Sequence, residues 1–314
     1  MFIVKHKAFF FWFTGLILAA AVGAIIFFGL PLGIDFTGGT LMQVSYAPSQ
    51  SSALEMPLGY QTERPALSDV QTQVAQVPLG AISVRAVGDT GVSIRTRTMT
   101  PEEHTAVLAA LSQNSSVTEL SYTSVGPSLG SQFAAKAFWA ILAVTLAIVV
   151  YIAFAFRKVS RPVPSWGYGL VVVAMLAIDI IVPAGFFAAY AHYTGAEVDS
   201  LFVVALLALL GYCVNDVIVI FDRVRDHLAY NDKMSLKESF EDTVGKSIDE
   251  TITRSINTGL TVVLALAALI FFGAEATRNF ALVMLVGVVA GTFSSICRSA
   301  PLLVPLAAWF SKKQ

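Results

Sequence analysis

Asp216 is an acid in the middle of an apolar run, residues 201–221 (LFVVALLALLGYCVNDVIVIF), long enough to cross a bilayer as a helix. A charged side chain at that depth costs about 2.5–3.5 kcal/mol on insertion scales, so it is retained where it faces a bundle interior and serves function. Arg254 opens the next apolar run, 255–272, and could approach Asp216 from the neighbouring helix. A carboxylate that gains and loses a proton beside a fixed positive charge can couple proton passage to movement. Tyr212 and Asn215 supply polar company on the same run, and Asp179 is a second acid within an apolar segment. Each has a plainer reading. Asp216 could be a neutral, hydrogen-bonded structural residue, and Arg254 could anchor a helix end at the membrane surface.

The elements that must position these residues are membrane helices. Of the 314 residues, 56% are hydrophobic and 13% charged, about half the charge of a soluble domain. Six segments, 9–30, 134–156, 166–190, 199–221, 254–273 and 279–303, have the roughly 20 apolar residues that a span requires. The first exceeds a signal-peptide core and lacks a good cleavage site after it, so it reads as a retained helix. Basic residues set the orientation. Lys5, Lys7, Arg157, Lys158, Arg161, Arg223, Arg225, Lys233, Lys237, Lys246, Lys312 and Lys313 gather on one side, while 193–199 has no basic residue and 273–279 only Arg278. Both ends are therefore expected in the cytoplasm and residues 33–133 outside. Asp222, Arg223 and Arg225 read as the interfacial end of the fourth helix. Residues 235–249 carry an apolar stripe (Leu236, Phe240, Val244, Ile248) and read as an interfacial amphipathic helix within a cytoplasmic loop, 222–253.

The expected organisation is a first helix (1–32), an extracytoplasmic domain (33–133) and a five-helix bundle (134–314). Within the domain, 40–46 reads as a strand, 48–59 as a polar loop and 66–77 as a helix. Residues 81–87 and 92–97 alternate around a turn at Gly88-Asp89-Thr90-Gly91. Thr100, Pro101 and Glu103 form a capping box for a helix to about Leu111, and 117–125 reads as a last strand. Strand, helix, strand, strand, helix, strand is the split βαβ order of ferredoxin-like domains. The fold class is thus a six-helix polytopic membrane protein with one extracytoplasmic α+β ferredoxin-like domain. Cys213 and Cys297 both fall in membrane helices, and His6, His104, His192 and His227 are scattered. No disulfide framework, metal site, phosphate loop or nucleophile–base set is legible, so the reading is a non-enzyme without cofactor or nucleic-acid partner.

Four motifs add a resemblance: Gly33-Ile34-Asp35-Phe36-Thr37-Gly38-Gly39-Thr40, Val125-Gly126-Pro127-Ser128-Leu129-Gly130, the run from Asn215-Asp216 to Asp222-Arg223-Val224-Arg225, and Thr253-Arg254-Ser255-Ile256-Asn257-Thr258. In order and spacing they resemble the SecF family of the resistance–nodulation–division superfamily, the smaller membrane subunits of the SecD–SecF accessory complex. The resemblance implies protein export driven by the proton-motive force, with H⁺ as coupling ion. It implies an obligate SecD-type partner, the SecYEG channel with SecA, the translocating preprotein, membrane lipids, and YajC and YidC as further companions. It implies a proton pathway through Asp216 and Arg254, with Asp179, Asn215 and Asn257 along it. It also marks Asp35, Phe36, Thr37, Gly38, Gly39, Gly126 and Pro127 as a motif joint, where the two glycines permit a φ > 0 turn. Two departures stand out. Family members often carry His-Asp in the third helix, whereas this chain has Ile178-Asp179. Arg298 lies in the sixth helix where a small or apolar residue is expected, and it reads as snorkelling to headgroups. A proton-coupled half-size exporter of a small molecule or lipid, and a passive membrane scaffold, remain the alternatives.

Overall fold

The computed structural model describes residues 2–46, 64–88, 90–113, 116–157 and 162–311. The loop read at 48–59, Asp89 of the turn, and Lys158, Arg161, Lys312 and Lys313 lie outside the described residues. The chain divides into two compact units: Leu32–Lys136, and Met1–Pro31 together with Ala137–Gln314.

The α+β unit begins with a short helix α3 (Ile34–Thr37), following α1 (Phe2–Lys5) and α2 (Lys7–Phe28) of the helical unit. It continues with β1 (Gly39–Ser45), α4 (Leu67–Val74), β2 (Ser83–Val87), β3 (Gly91–Thr96), α5 (Pro101–Leu111) and β4 (Thr118–Val125). The strands form one sheet in the order β2-β3-β1-β4, every neighbouring pair antiparallel. Alternation decides which face is covered. Met42 and Val44 of β1 and Val92 and Ile94 of β3 are fully buried with Val70 and Val74 of α4 and Val107 and Leu111 of α5. Met42 pairs with Ile94, and Val44 with Val92, so the register keeps all four on the helix side. Helix α4 stops at Val74, three residues before the boundary read from Val77.

The Thr100 side chain accepts the Glu103 N–H at 3.3 Å, Glu103 Oε2 accepts the Thr100 N–H at 2.9 Å, and Pro101 sits where no donor is needed. Arg97 adds an ion pair to Glu103 at 2.5 Å. The Arg97 guanidinium, then the Thr100 N–H, hold the Glu103 carboxyl below its usual range. With a lowered folded value, this contribution is present above the unfolded pKa, about 4.3, and is lost as pH falls through the folded one. After correction for intrinsic exchange, α5 amides of the full chain should lose hydrogen-exchange protection on acidification below that pH. Glu103→Gln should flatten the acid-side loss.

Among the described residues, six helices are long and apolar enough to span a membrane. They are α2, α6 (Pro127–Ala155, shared between the units), α7 (Ser165–Thr194), α8 (Ser200–Lys233), α9 (Phe240–Phe272) and a last interrupted one. That last helix comprises α10 (Glu275–Ser294), a π-helical turn (Ser295–Ser299) and α11 (Ala300–Ser311). Caps set the entries: Asp199 accepts the Phe202 N–H at 2.8 Å, and Ser239 accepts the Asp242 N–H at 3.1 Å. Gly195, at φ 72°, closes α7 in the left-handed region. The centre of the unit is built from α7, α8 and the last helix, whose hydrophobic windows are about half buried, against 11% for α2 and 6% for α6.

Residues 222–253 are not an open loop with a separate helix. The fourth span continues as α8 to Lys233, and the fifth begins at Phe240 as one unbroken α9. The helical stripe is continuous with the membrane core: Val224, Val244 and Ile248 are buried with the bundle residues, while Leu236 stays exposed in the connection. Arg223–Glu250 and Lys246–Glu238 ion pairs and the Asn231–Thr243 hydrogen bond tie the extensions together.

Close approach of α9 and α10 relies on glycine. A Cβ at Gly259 would lie 2.8 Å from Thr292 Oγ1 and 3.3 Å from its Cγ2. Gly259→Val should therefore cost about 1–3 kcal/mol by overpacking, seen as a lower Tm of the detergent-solubilised protein. Adding Thr292→Ala should recover part of the loss; an unchanged Tm in the single variant would contradict this packing.

Candidate functional site

Asp216 lies on α8 at the point where α9 and the π-helical turn meet it. Its Oδ1 accepts the Ser255 hydroxyl of α9 at 2.5 Å, and its Oδ2 accepts the Ser295 hydroxyl of the π-helical turn. Both serines are buried, and Asp216 itself is half-buried. Cys213, one turn earlier on the same face of α8, is buried against Gly291 of α10, where an added Cβ would stand 2.3 Å from its Sγ. Three helices therefore converge on one carboxylate through small residues.

Arg254 does not reach Asp216. Successive helical residues project about 100° apart, so with Ser255 turned to the carboxylate its neighbour Arg254 turns out and is exposed. It lines a cavity of about 310 Å³ with Val219, Asp222, Arg223, Asp226, Glu250 and Thr251. In that region Arg223 pairs with Glu250, His227 stands 3.2 Å from Glu250, and Arg225 pairs with Asp222. Asn215 and Asn257 are exposed as well. The expected proton-pathway residues thus separate into an inner set, Asp216 and Asp179, and an outward polar face carrying Asn215, Arg254 and Asn257 on α8 and α9.

Asp179 is 2% exposed on α7. Arg298, Ser294 and Cys213 are its polar neighbours. Arg298 is the residue that sequence reasoning misjudged. It is 4% exposed and does not snorkel. Its Nη2 donates to Ser294 Oγ at 2.9 Å and reaches Met175 Sδ at 3.9 Å, one turn from Asp179. Arg298 lies in the π-helical turn, all five residues of which are buried, and Pro301, which offers no N–H to a regular helix, follows two residues after it. Pro301 and the serine-rich run 294–299 were the available signal.

The motif glycines are drawn together within the α+β unit. Gly38 has φ 74° and Gly39 φ 126°, both in the region that glycine alone adopts easily. A Cβ on Gly38 would sit 2.7 Å from Pro127 Cα, one on Gly39 2.7 Å from the Thr96 carbonyl oxygen, and one on Gly130 2.7 Å from Gly38 N. Thr37 bonds the Gly33 carbonyl at 3.0 Å and receives Arg95 Nη2 at 2.8 Å. Asp35 and Phe36 lie on α3 between them, and Gly126 and Pro127 lead into α6.

Comparison with known proteins gives a consistent result. The family model described as "Protein export membrane protein SecD/SecF, C-terminal" matches residues 105–309, and the "SecD/SecF GG Motif" matches residues 23–50. The protein translocase subunit SecF of Thermobaculum terrenum is 37% identical over 316 residues, covering 99% of this chain and 94% of that one. The SecF subunit of a Synechocystis species is 32% identical over 284 residues, covering 90% and 84%. The crystal structure of SecDF, a translocon-associated membrane protein from Thermus thermophilus, superposes with a TM-score of 0.76 at 26% identity. That match covers 96% of this chain and 38% of the SecDF chain; a second SecDF structure, in a super-membrane-facing form, gives 0.61. With its six apolar spans, its motif glycines and these relatives, the chain belongs to the SecD/SecF family of protein-export membrane proteins.

Proposed function

We propose that this chain is the SecF-type half of a proton-driven SecD–SecF complex that promotes late steps of protein export. One observation carries the reading: Asp216 is held by two serine hydroxyls rather than by a fixed cation. A hydroxyl donates to an ionised carboxylate and accepts from a protonated one, so the site keeps its partners in either state. One charge crossing 100 mV supplies about 2.3 kcal/mol, which is the driving force for alternating the two states. Protons are the coupling ion, and the reading calls for no metal or organic cofactor. Arg254 serves from the outward face, where its charge meets the partner's groups.

A SecD-type subunit is the partner. Asn215, Arg254 and Asn257 would be costly against lipid, and a second half-bundle on α8 and α9 would cover them. Gly211 of α8 has open space where a Cβ would stand, leaving room for close approach. SecYEG with SecA, YajC, YidC and the emerging preprotein complete the assembly. The α+β unit is a ferredoxin-like domain on the extracytoplasmic side, and both termini are cytoplasmic, as the basic residues require. The half-size exporter and the scaffold find no support among the relatives.

The functional test uses inverted vesicles from cells lacking this chain. Supplying it with its SecD-type partner should restore the extra translocation that a proton-motive force gives over ATP alone. No restoration with both subunits present would contradict the reading. For orientation, Ser68→Cys should react with an impermeant maleimide in intact spheroplasts, and Lys237→Cys only after permeabilisation. Labelling of position 237 from outside would reverse the topology.

A further inference from the structure

The edge strand β4 of the α+β unit carries one residue more than its partner. Gln43 of β1 pairs with Ser121, but the next residue, Val44, pairs with Glu119, so Leu120 is left over as a bulge and is 59% exposed. Without it, Glu119 and Tyr122, three positions apart, would fall on opposite faces of the sheet. With it, they stand opposite Val44 and Met42, on the face that α4 and α5 cover. His104 of α5 meets both. Its Nε2 lies 3.2 Å from Glu119 Oε2 and 3.3 Å from Oε1, and its ring centroid is 4.1 Å from that of Tyr122. Side-chain exposures of 23% for His104 and 27% for Glu119 leave the pair open to protons from bulk water. None of the three residues belongs to the motif joint or to the proton pathway.

We propose that His104, Glu119 and Tyr122 form a pH-sensitive clamp, closed in mild acid, that pins the bulged edge strand to α5. It rests on the reading above, which puts this unit on the side that a proton-motive force acidifies. Histidine is the side chain whose charge ordinarily changes between about pH 5 and 8. Protonated, His104 donates a charge-assisted bond to the carboxylate and sets a cation beside the Tyr122 ring. Neutral, it keeps only a plain hydrogen bond. The clamp is therefore closed while Glu119 is ionised and His104 protonated, and it loosens as His104 loses its proton. Among the described residues no other ionisable group faces His104. On α5 itself Glu102 is exposed, and Glu103 is taken by Arg97 and the Thr100 N–H. Helix α4, packed on α5, carries only Asp69, which is exposed and accepts the Ser68 hydroxyl at 3.3 Å. Strand β1 has no ionisable side chain. Arg85 of β2 and Arg95 of β3 fall on the other face, since their neighbours Val84 and Ile94 pack under the helices. The pinned strand leads into the motif joint: Val125 pairs with Gly39, and Pro127 follows against Gly38. A closed clamp thus stiffens the strand from which the chain enters α6.

Hydrogen exchange of the full chain in complex with its SecD-type partner, corrected for intrinsic rates, tests the clamp. Lowering the pH from about 8 to about 5.5, across the histidine range, should raise the protection of the Thr118–Val125 amides about threefold, the scale of a partly exposed ion pair. This range lies above that of the Glu103 capping box. The rise should vanish in His104→Gln and in Glu119→Gln. His104→Lys, charged throughout, should show the raised protection at both pH values. A flat wild-type profile, or an equal rise in wild type and His104→Gln, would overturn the proposal. Where His104→Gln fails to fold, a pH-dependent rise that persists in His104→Lys would overturn it equally. A flat exchange profile in a complex with its full proton-dependent gain in translocation would sink the clamp alone. A titrating clamp in a complex without that gain would sink the export reading and leave the clamp standing.

Discussion

The helical unit depends on a constraint at one point: an acid inside apolar helices must keep hydrogen-bond partners whether or not it is charged. Asp216 meets it with Ser255 and Ser295, which come from two different helices. Much of the local architecture follows. Small residues must line the approach, so Gly259 lies against Thr292, and Gly291 against Cys213. The last helix must present Ser295, and it does so through a π-helical turn, Ser295–Ser299, that lies just before Pro301. That turn also places a second charged group, the buried Arg298, inside the bundle.

The arrangement also explains why two faces of the same helices differ. The inner faces of α8 and α9 carry Cys213, Asp216 and Ser255, all in contact within the chain. The outer faces carry Asn215, Arg254 and Asn257, which are exposed. A single half-bundle has no interior on that side. One solved relative is a SecDF chain about two and a half times as long as the part that this chain matches, and under the proposed function a second half-bundle would cover that side.

The spans, the capping box at Thr100 and Glu103, and the order of strands and helices along the α+β unit were legible because each rests on a local signal: run length, a turn chemistry, an alternation. Asp216 was legible for the same reason, since one acid in an apolar run is conspicuous. Its partners were not. Sequence proximity favours Arg254, but helical rotation puts Ser255 on the carboxylate instead, and serines in a membrane helix carry no distinctive signal. Arg298 was misjudged because snorkelling assumes a regular helix, and a one-residue widening changes which way a side chain faces. The extension of α8 and α9 through residues 222–253 was hidden by charge: Arg223, Glu250 and Lys246 look like loop residues until their partners across the helix pair are known.

The central claim is that the change of charge at Asp216, and not merely its hydrogen bonds, drives the cycle. The direct measurement is translocation into inverted vesicles with and without a proton-motive force, comparing Asp216→Asn with Asp216→Glu. Asparagine can hold both serines but cannot ionise; glutamate can ionise but is longer. The account predicts that Asp216→Asn assembles with its partner and loses the entire proton-dependent gain, while Asp216→Glu retains a measurable part of it. A full gain in an assembled Asp216→Asn complex would contradict the account.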